Sequence, residues 1–231
     1  MSLKNLESEL LSCRACPLVA EGRGPTSWTG APSPIVFIGE GPGGVEDEYG
    51  VPLVGPSGQL LDKALFKVGL TRHNVYVTNI IKCRPPGNRT PTQGESIFCG
   101  DRWLKQELNL IQPAVIVALG NVPLQYFLGA DKRITRSRGQ FQQLPSGAWF
   151  IATFHPAYLL RQTGQEQIKA KWDVFHDLTA AVEKAKEITG QLPKPSSEPT
   201  NLFEMYRSRK EQRVEWLKKI KPAGPESPLP F

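Results

Sequence analysis

Four short apolar runs constrain this chain more than any other feature. They are IVFIG (Ile35–Gly39), NVYVTN (74–79), AVIVALG (114–120) and WFIATF (149–154). Each is rich in β-branched residues, and none alternates apolar with polar. A strand of that kind hides both faces, as strands do in a parallel sheet covered by helices. The segments between the runs carry a helical period. Residues 58–68 place Leu61, Leu65 and Val68 on one face, and residues 94–110 offer Ile97, Leu104 and Leu108. Residues 122–128 begin another helix, with Pro123 suited to its first turn. This alternation predicts an α/β fold, a three-layer α/β/α sandwich around a four-stranded parallel sheet with right-handed crossovers. Chemistry is then expected at the carboxyl ends of the strands, where Gly39, Asn79, Gly120 and His155 fall.

A long helix is expected over residues 165–189, ending at Gly190. A Pro/Ser-rich stretch follows, then a charged segment (202–220) with helical propensity, then ten residues holding four prolines. The expected organisation is therefore a domain over residues 1–189, with a linker, short basic helix and flexible tail over 190–231. A content of 39% hydrophobic residues supports a packed core and excludes a wholly disordered chain. No run approaches the roughly 18 apolar residues of a membrane span. The first residues carry acids and lack an apolar signal region, so a soluble, cytoplasmic monomer with no membrane partner is expected. The net charge of +6 is a weak pointer to nucleic acid, since half of it lies in residues 190–231. The partner has to be argued from sites.

Cys13 and Cys16 form a C-x2-C pair; Cys83 and Cys99 follow, with 15 residues between them. In a cytosolic chain such a set reads as one four-thiolate site rather than two disulfides. Spacing leaves zinc and an iron–sulfur cluster both open. The first apolar run leads into a glycine-rich turn bearing Glu40, Gly41 and Glu46, where backbone amides can approach a ligand. That turn has neither the Walker nor the Rossmann spacing. Asn79 ends an apolar strand, and a buried amide left without partners costs about 1–3 kcal/mol. His155 stands before Pro156 in a strand-to-helix turn that aims its ring at the cleft.

Taken together, these pieces resemble the family 4 uracil-DNA glycosylases, the iron–sulfur branch of that superfamily. The matching elements are GEGPG (39–43), VGPSGQLLD (54–62), VTNIIKCRPPGNRTP (77–91), HPAYLLR (155–161) and the four cysteines in order. The resemblance implies a 4Fe-4S cluster on Cys13, Cys16, Cys83 and Cys99. It implies a DNA repair enzyme that flips uracil out of the stack and hydrolyses its N-glycosidic bond, leaving an abasic site. Asn79 would read uracil O4 and N3–H, and Glu46 would crowd the C5 edge against thymine. His155 would donate to O2 as negative charge develops. The Gly41 backbone would hold the attacking water, and Glu40 would orient it or stabilise the cationic sugar. Leu53 stands where the family usually has the phenylalanine that stacks on uracil, a departure that loses an aromatic face.

For DNA, the resemblance implies phosphate contacts from Gly55, Ser57, Gly58 and Arg89. Tyr158, Leu159 and Leu160 would form an apolar wedge. The basic residues 132–138 do not match the histidine loop of covalently trapping relatives, so turnover is expected. The last residues, ESPLPF from Glu226 to Phe231, resemble a bacterial sliding-clamp hexapeptide, with Leu229 and Phe231 as its anchors. Two other readings stay open. One is a non-catalytic uracil- or lesion-DNA-binding protein, for which Leu53 speaks; the other is an iron–sulfur or zinc redox or regulatory protein, which needs neither Asn79 nor His155.

Overall fold

The computed structural model describes residues 1–192 and 201–219. The residues of the clamp-like motif, Glu226 to Phe231, lie outside the described residues. One sheet runs in the order β1-β3-β2-β4-β6-β5. Its inner strands are β2 (Ile35–Gly39), β3 (Tyr76–Asn79), β4 (Val115–Leu119) and β6 (Trp149–Thr153). These four are parallel, with Val36 paired to Tyr76 and Ile116, and Ile116 to Phe150. Every residue of β2, β3 and β4 is buried, which accounts for their lack of alternation. The sheet is wider than four strands. Two-residue edge strands, β1 (Thr29–Gly30) and β5 (Gln142–Gln143), add antiparallel to β3 and β6, and segments that short carry no period to read.

Helices α1 (Leu3–Leu11) and α2 (Leu18–Glu21) precede the sheet; α3 (Gly44–Tyr49) and α4 (Pro56–Lys67) connect β2 to β3. Pro56 sits in the first turn of α4, where its missing N–H costs nothing. Next come a 3-10 turn (Pro86–Asn88), α5 (Gln93–Cys99), a π turn (Gly100–Leu104) and α6 (Lys105–Ile111). After β4 lie α7 (Asn121–Leu128) and α8 (Ile134–Ser137), and after β6 lie α9 (Pro156–Arg161) and α10 (Gly164–Thr189). Helix α10 buries Ala170, Val174, Leu178, Ala181, Val182 and Ala185, and packs on β2, β4 and β6. Helix α7 packs on β2 and β4. Among the described residues no helix is long and apolar enough to cross a membrane.

Among the parallel strands the chain starts at β2, steps to β3 on one side and then crosses to β4 on the other, so the strand order reverses beside β2. A crevice at the carboxyl ends of the strands follows from that reversal. The charged segment after residue 200 forms α11 (Leu202–Met205) and α12 (Arg207–Lys219), and α12 packs against α3. Its Arg213 is buried to 6% exposure, so this is not a uniformly solvated helix.

Candidate active site

The site is built where β2 ends. A Cβ at Gly39 would lie 2.4 Å from Asn79 Oδ1 and 3.6 Å from Leu53 Cδ1. Glycine there lets the Asn79 amide lie across the end of β2, with Leu53 beside it. Asn79 is buried, and its Nδ2 has no hydrogen-bond partner among the described residues. The other such atom, Glu107 Oε1, is 2.5 Å from Lys82 Nζ in an ion pair, so Asn79 carries the true orphan donor. At Gly41, a Cβ would fall 2.5 Å from Ile81 Cγ1, so the turn after β2 packs too closely for a side chain.

The turn then enters α3, and Glu46 at its third position reaches back. One oxygen of its carboxylate accepts from Val54 N at 3.0 Å and Gly55 N at 2.8 Å; the other accepts from Gly43 N at 3.2 Å. A buried carboxylate therefore ties the glycine turn to the loop carrying Leu53. That loop is strained at Leu53, whose φ of +50° falls where L-residues other than Asn and Asp rarely sit. It is held by the buried Arg72, which donates to Leu53 O at 2.9 Å and forms an ion pair with Asp62 at 2.7 Å. Burial pushes the Asp62 carboxyl up, against the pull of Arg72. Beneath the loop, a Cβ on Gly58 would lie 1.7 Å from Leu53 O.

A cavity of about 1030 Å³ adjoins this turn and loop, lined by Glu40, Gly41, Glu46, Leu53, Gly55, Ser57, Arg89, His155, Tyr158 and Arg161 among others. His155 caps the N-terminus of α9, its Nδ1 accepting from Ala157 N at 3.1 Å. With Nδ1 an acceptor, the ring proton resides on Nε2, which is left as a donor. Burial, and after it the positive charge of Arg161, lowers the His155 pKa to about 4, so the ring is neutral at ordinary pH. Burial pushes the Glu40 carboxyl above its usual range, while Arg161 draws it back. One exposed arginine at the cavity mouth thus acts on both candidate catalytic groups.

The residues expected to touch DNA separate on inspection. Gly55 and Ser57 stand at the start of α4, on the cavity wall. Gly58 is buried against Leu53 and serves packing. Arg89 lines the cavity, but its guanidinium makes two bonds to Glu95, at 2.8 and 2.7 Å, which hold that carboxyl below the usual range. Of the wedge residues, Leu159 is 3% exposed and belongs to the core, Tyr158 stacks on Phe154 at 4.7 Å, and Leu160 projects at 47% exposure. A buried leucine has no free face to offer a base stack, and of the three expected residues Leu160 is the one that projects.

The four cysteines come from distant parts of the chain. Cys13 follows α1, Cys16 precedes α2, Cys83 follows β3 and Cys99 ends α5. All four are free thiols, near enough to one another that ionising Cys83 is opposed by Cys99, Cys16 and Cys13, and ionising Cys99 by Cys16 and Cys13. Burial pushes the thiols of Cys16 and Cys83 up and that of Cys99 to about 12. Lys82 opposes this at Cys99, to which its N–H donates at 3.3 Å. Four free cysteines, one buried and three partly so, without disulfides suit a group that draws off their protons. Among the described residues no three His, Cys, Asp or Glu side chains are grouped to hold one metal ion.

Sequence reasoning passed over four supports: Arg72 with Asp62, Lys82 with Glu107, Arg161 and Arg213. The Lys82 ammonium, 1% exposed, bonds Thr78 Oγ1 at 2.6 Å and pairs with Glu107, which also accepts from Tyr76 OH at 3.2 Å. Nothing local marks these pairs, whose partners are ten or more residues apart. The positions of Asp62, Lys82 and Arg161 within three of the resembling motifs were the signal.

A mostly parallel sheet with this crevice and this pairing of a buried asparagine and a neutral histidine defines a class. A family model described as the Uracil DNA glycosylase superfamily matches residues 27–179, and the chain belongs to that superfamily. Within it the chain falls in the type-4 family. It is 44% identical over 163 residues to a Type-4 uracil-DNA glycosylase of Thermotoga maritima, covering 67% of this chain and 81% of that protein. A Type-4 uracil-DNA glycosylase of Archaeoglobus fulgidus is 39% identical over 169 residues, covering 69% and 83%. A Type-5 uracil-DNA glycosylase of Pyrobaculum aerophilum matches at 30% over 138 residues, 54% of this chain and 60% of that protein.

Proposed function

We propose that this chain is a DNA repair glycosylase that extrudes uracil from DNA and hydrolyses its bond to the sugar, releasing uracil and leaving an abasic site. The observation that carries this reading is the orphan Nδ2 of Asn79, buried at the end of β2 near Leu53, which lines a cavity whose wall also holds a neutral histidine. Uracil O4 accepts from Nδ2; cytosine presents an amino donor there and leaves two donors opposed. A site with a buried polar group rejects a mismatched ligand strongly because the group stays unpaired. Leu53 covers the base with an apolar face, and Glu46 holds the rim on its uracil side.

Cleavage of the C1′–N1 bond leaves positive charge on the sugar and negative charge on the base, so catalysis is chiefly charge stabilisation. His155 Nε2–H donates to O2 as that charge develops, and needs no proton transfer. Glu40, with the Gly41 backbone, orients the water that attacks C1′. At the start of α4, where Gly55 N is held by Glu46 and Pro56 has no N–H, Ser57 is the residue that suits a phosphate, since a helix N-terminus favours an anion. Leu160 fills the gap left by the flipped nucleotide.

The four thiols would hold a 4Fe-4S cluster, whose part in a hydrolysis without electron transfer is to tie residues 13–16 to Cys83 and Cys99. The chain acts alone on uracil-containing DNA, in the cytoplasm.

The test is release of uracil from single- and double-stranded oligonucleotides bearing one deoxyuridine, read as strand nicking after alkali. Nicking is expected at the uracil and nowhere in a cytosine control. Binding without nicking would support the non-catalytic reading instead, and neither binding nor nicking the redox or regulatory one.

A further inference from the structure

Helix α3 has six residues, too few to be stable by itself. Yet it carries Glu46, whose carboxylate sets the rim of the cavity. What holds α3 comes from the far end of the chain. The buried guanidinium of Arg213 donates to three backbone carbonyls: Asp47 O at 2.8 Å, Pro25 O at 2.7 Å and Gly24 O at 2.8 Å. It also lies 3.5 Å from Asp47 Oδ1, and the Asp47 carboxylate accepts from Arg23 N at 2.9 Å. A second link is apolar. Val51, Val54 and Leu202 form a small buried cluster of their own, apart from the main core, with Val45, Tyr49, Met205 and Tyr206 packed around it. Val54 is the residue whose N–H donates to Glu46. A third link lies at the surface, where Lys210 pairs with Glu48 at 3.0 Å and sits over the Tyr49 ring.

We propose that residues 202–213 complete the uracil site, with Arg213 as a positioning residue that sets Glu46 and the Val54–Gly55 amides through α3. This rests on reading the cavity as the uracil site. The physical reason is that one planar fork satisfies three carbonyls at once, while Leu202 supplies the apolar floor under Val51 and Val54. Neither device touches β6 or His155. Loosening them therefore weakens the grip on the base and leaves bond cleavage intact.

The experiment uses the full chain with three variants: Arg213→Lys, which keeps a charge and loses the fork, Leu202→Ala, and His155→Ala as contrast. Steady-state kcat and KM on uracil-containing DNA, inhibition by free uracil and the visible absorbance of the protein are measured for each. Arg213→Lys and Leu202→Ala are expected to raise KM and the free-uracil inhibition constant about tenfold, with kcat within about twofold of the parent, because uniform binding has been lost. Absorbance is unchanged in both, and His155→Ala shows the opposite split. Parental KM and inhibition constants in folded Leu202→Ala would overturn the inference, as would a loss confined to kcat. If Arg213→Lys does not fold, Leu202→Ala decides alone. A parent chain that releases no uracil defeats the functional reading instead, a result distinct from either of these.

Discussion

At the scale of single residues, His155 is decided by one hydrogen bond and one charge. Ala157 N occupies Nδ1, and burial with Arg161 keeps the ring neutral, so the chain has a fixed Nε2–H donor rather than a proton shuttle. His155→Ala is expected to lower the single-turnover rate about 10²- to 10³-fold, the range for losing one donor to a developing anion, with DNA binding retained; an unchanged rate would remove His155 from the chemistry. The pH dependence follows from signs. Glu40, as the group proposed to orient the water, acts ionised and its pKa is raised, so kcat/KM is expected to fall with acid at a pH above the ordinary glutamate value. His155, with its pKa lowered to about 4, contributes no limb near neutrality. Glu40→Gln should abolish the upper acid limb. Arg161→Gln removes the charge that opposes the rise at Glu40, so the limb moves to higher pH; a shift to lower pH would show that Arg161 acts otherwise. The identities of Asn79 and His155 could be read from the sequence because each ends an apolar run. The tautomer could not, since it depends on an amide presented by α9.

At the scale of elements, the loop between α3 and α4 is the pocket's weak point. It holds a leucine at φ +50° only because Arg72 grips its carbonyl and Gly58 leaves room beneath it. Gly58→Ala drives a methyl into Leu53 O and is expected to cost about 1–3 kcal/mol, as overpacking does, with loss of uracil affinity; urea denaturation and free-uracil inhibition check both. The buried pair of Lys82 and Glu107 joins the end of β3 to α6 beside Cys83 and Cys99. Glu107→Ala leaves an ammonium without its partner, and breaking one side of such a pair costs about 3–5 kcal/mol. A melting temperature near the parental one would refute that. The glycine turn was visible in sequence as a run of glycines. Its reasons differ position by position, from Asn79 against Gly39 to Ile81 against Gly41, and those are contacts between strands.

At the scale of the whole molecule, four cysteines and a C-terminal segment close the structure on itself. Residues 13–16 join the core through Leu6 and Leu10 of α1, Leu18 and Val19 of α2 and the packing of Cys13 and Cys16 themselves, so a group held by the four thiols would brace the fold. Protein purified without oxygen is expected to be brown, with four irons per chain, and stripping the iron should lower its melting temperature. A colourless protein with one zinc per chain would overturn the cluster assignment. By itself the sequence determined the parallel sheet, the ends of its strands as the place of chemistry, and the residue types there, because burial on both faces and turn chemistry are local signals. Only the tertiary structure decided which polar atom is left without a partner, which wedge leucine faces outward, which arginine is free and which is paired, and that a distant helix supports the rim. Those depend on contacts between residues up to 189 positions apart, and no local pattern encodes them.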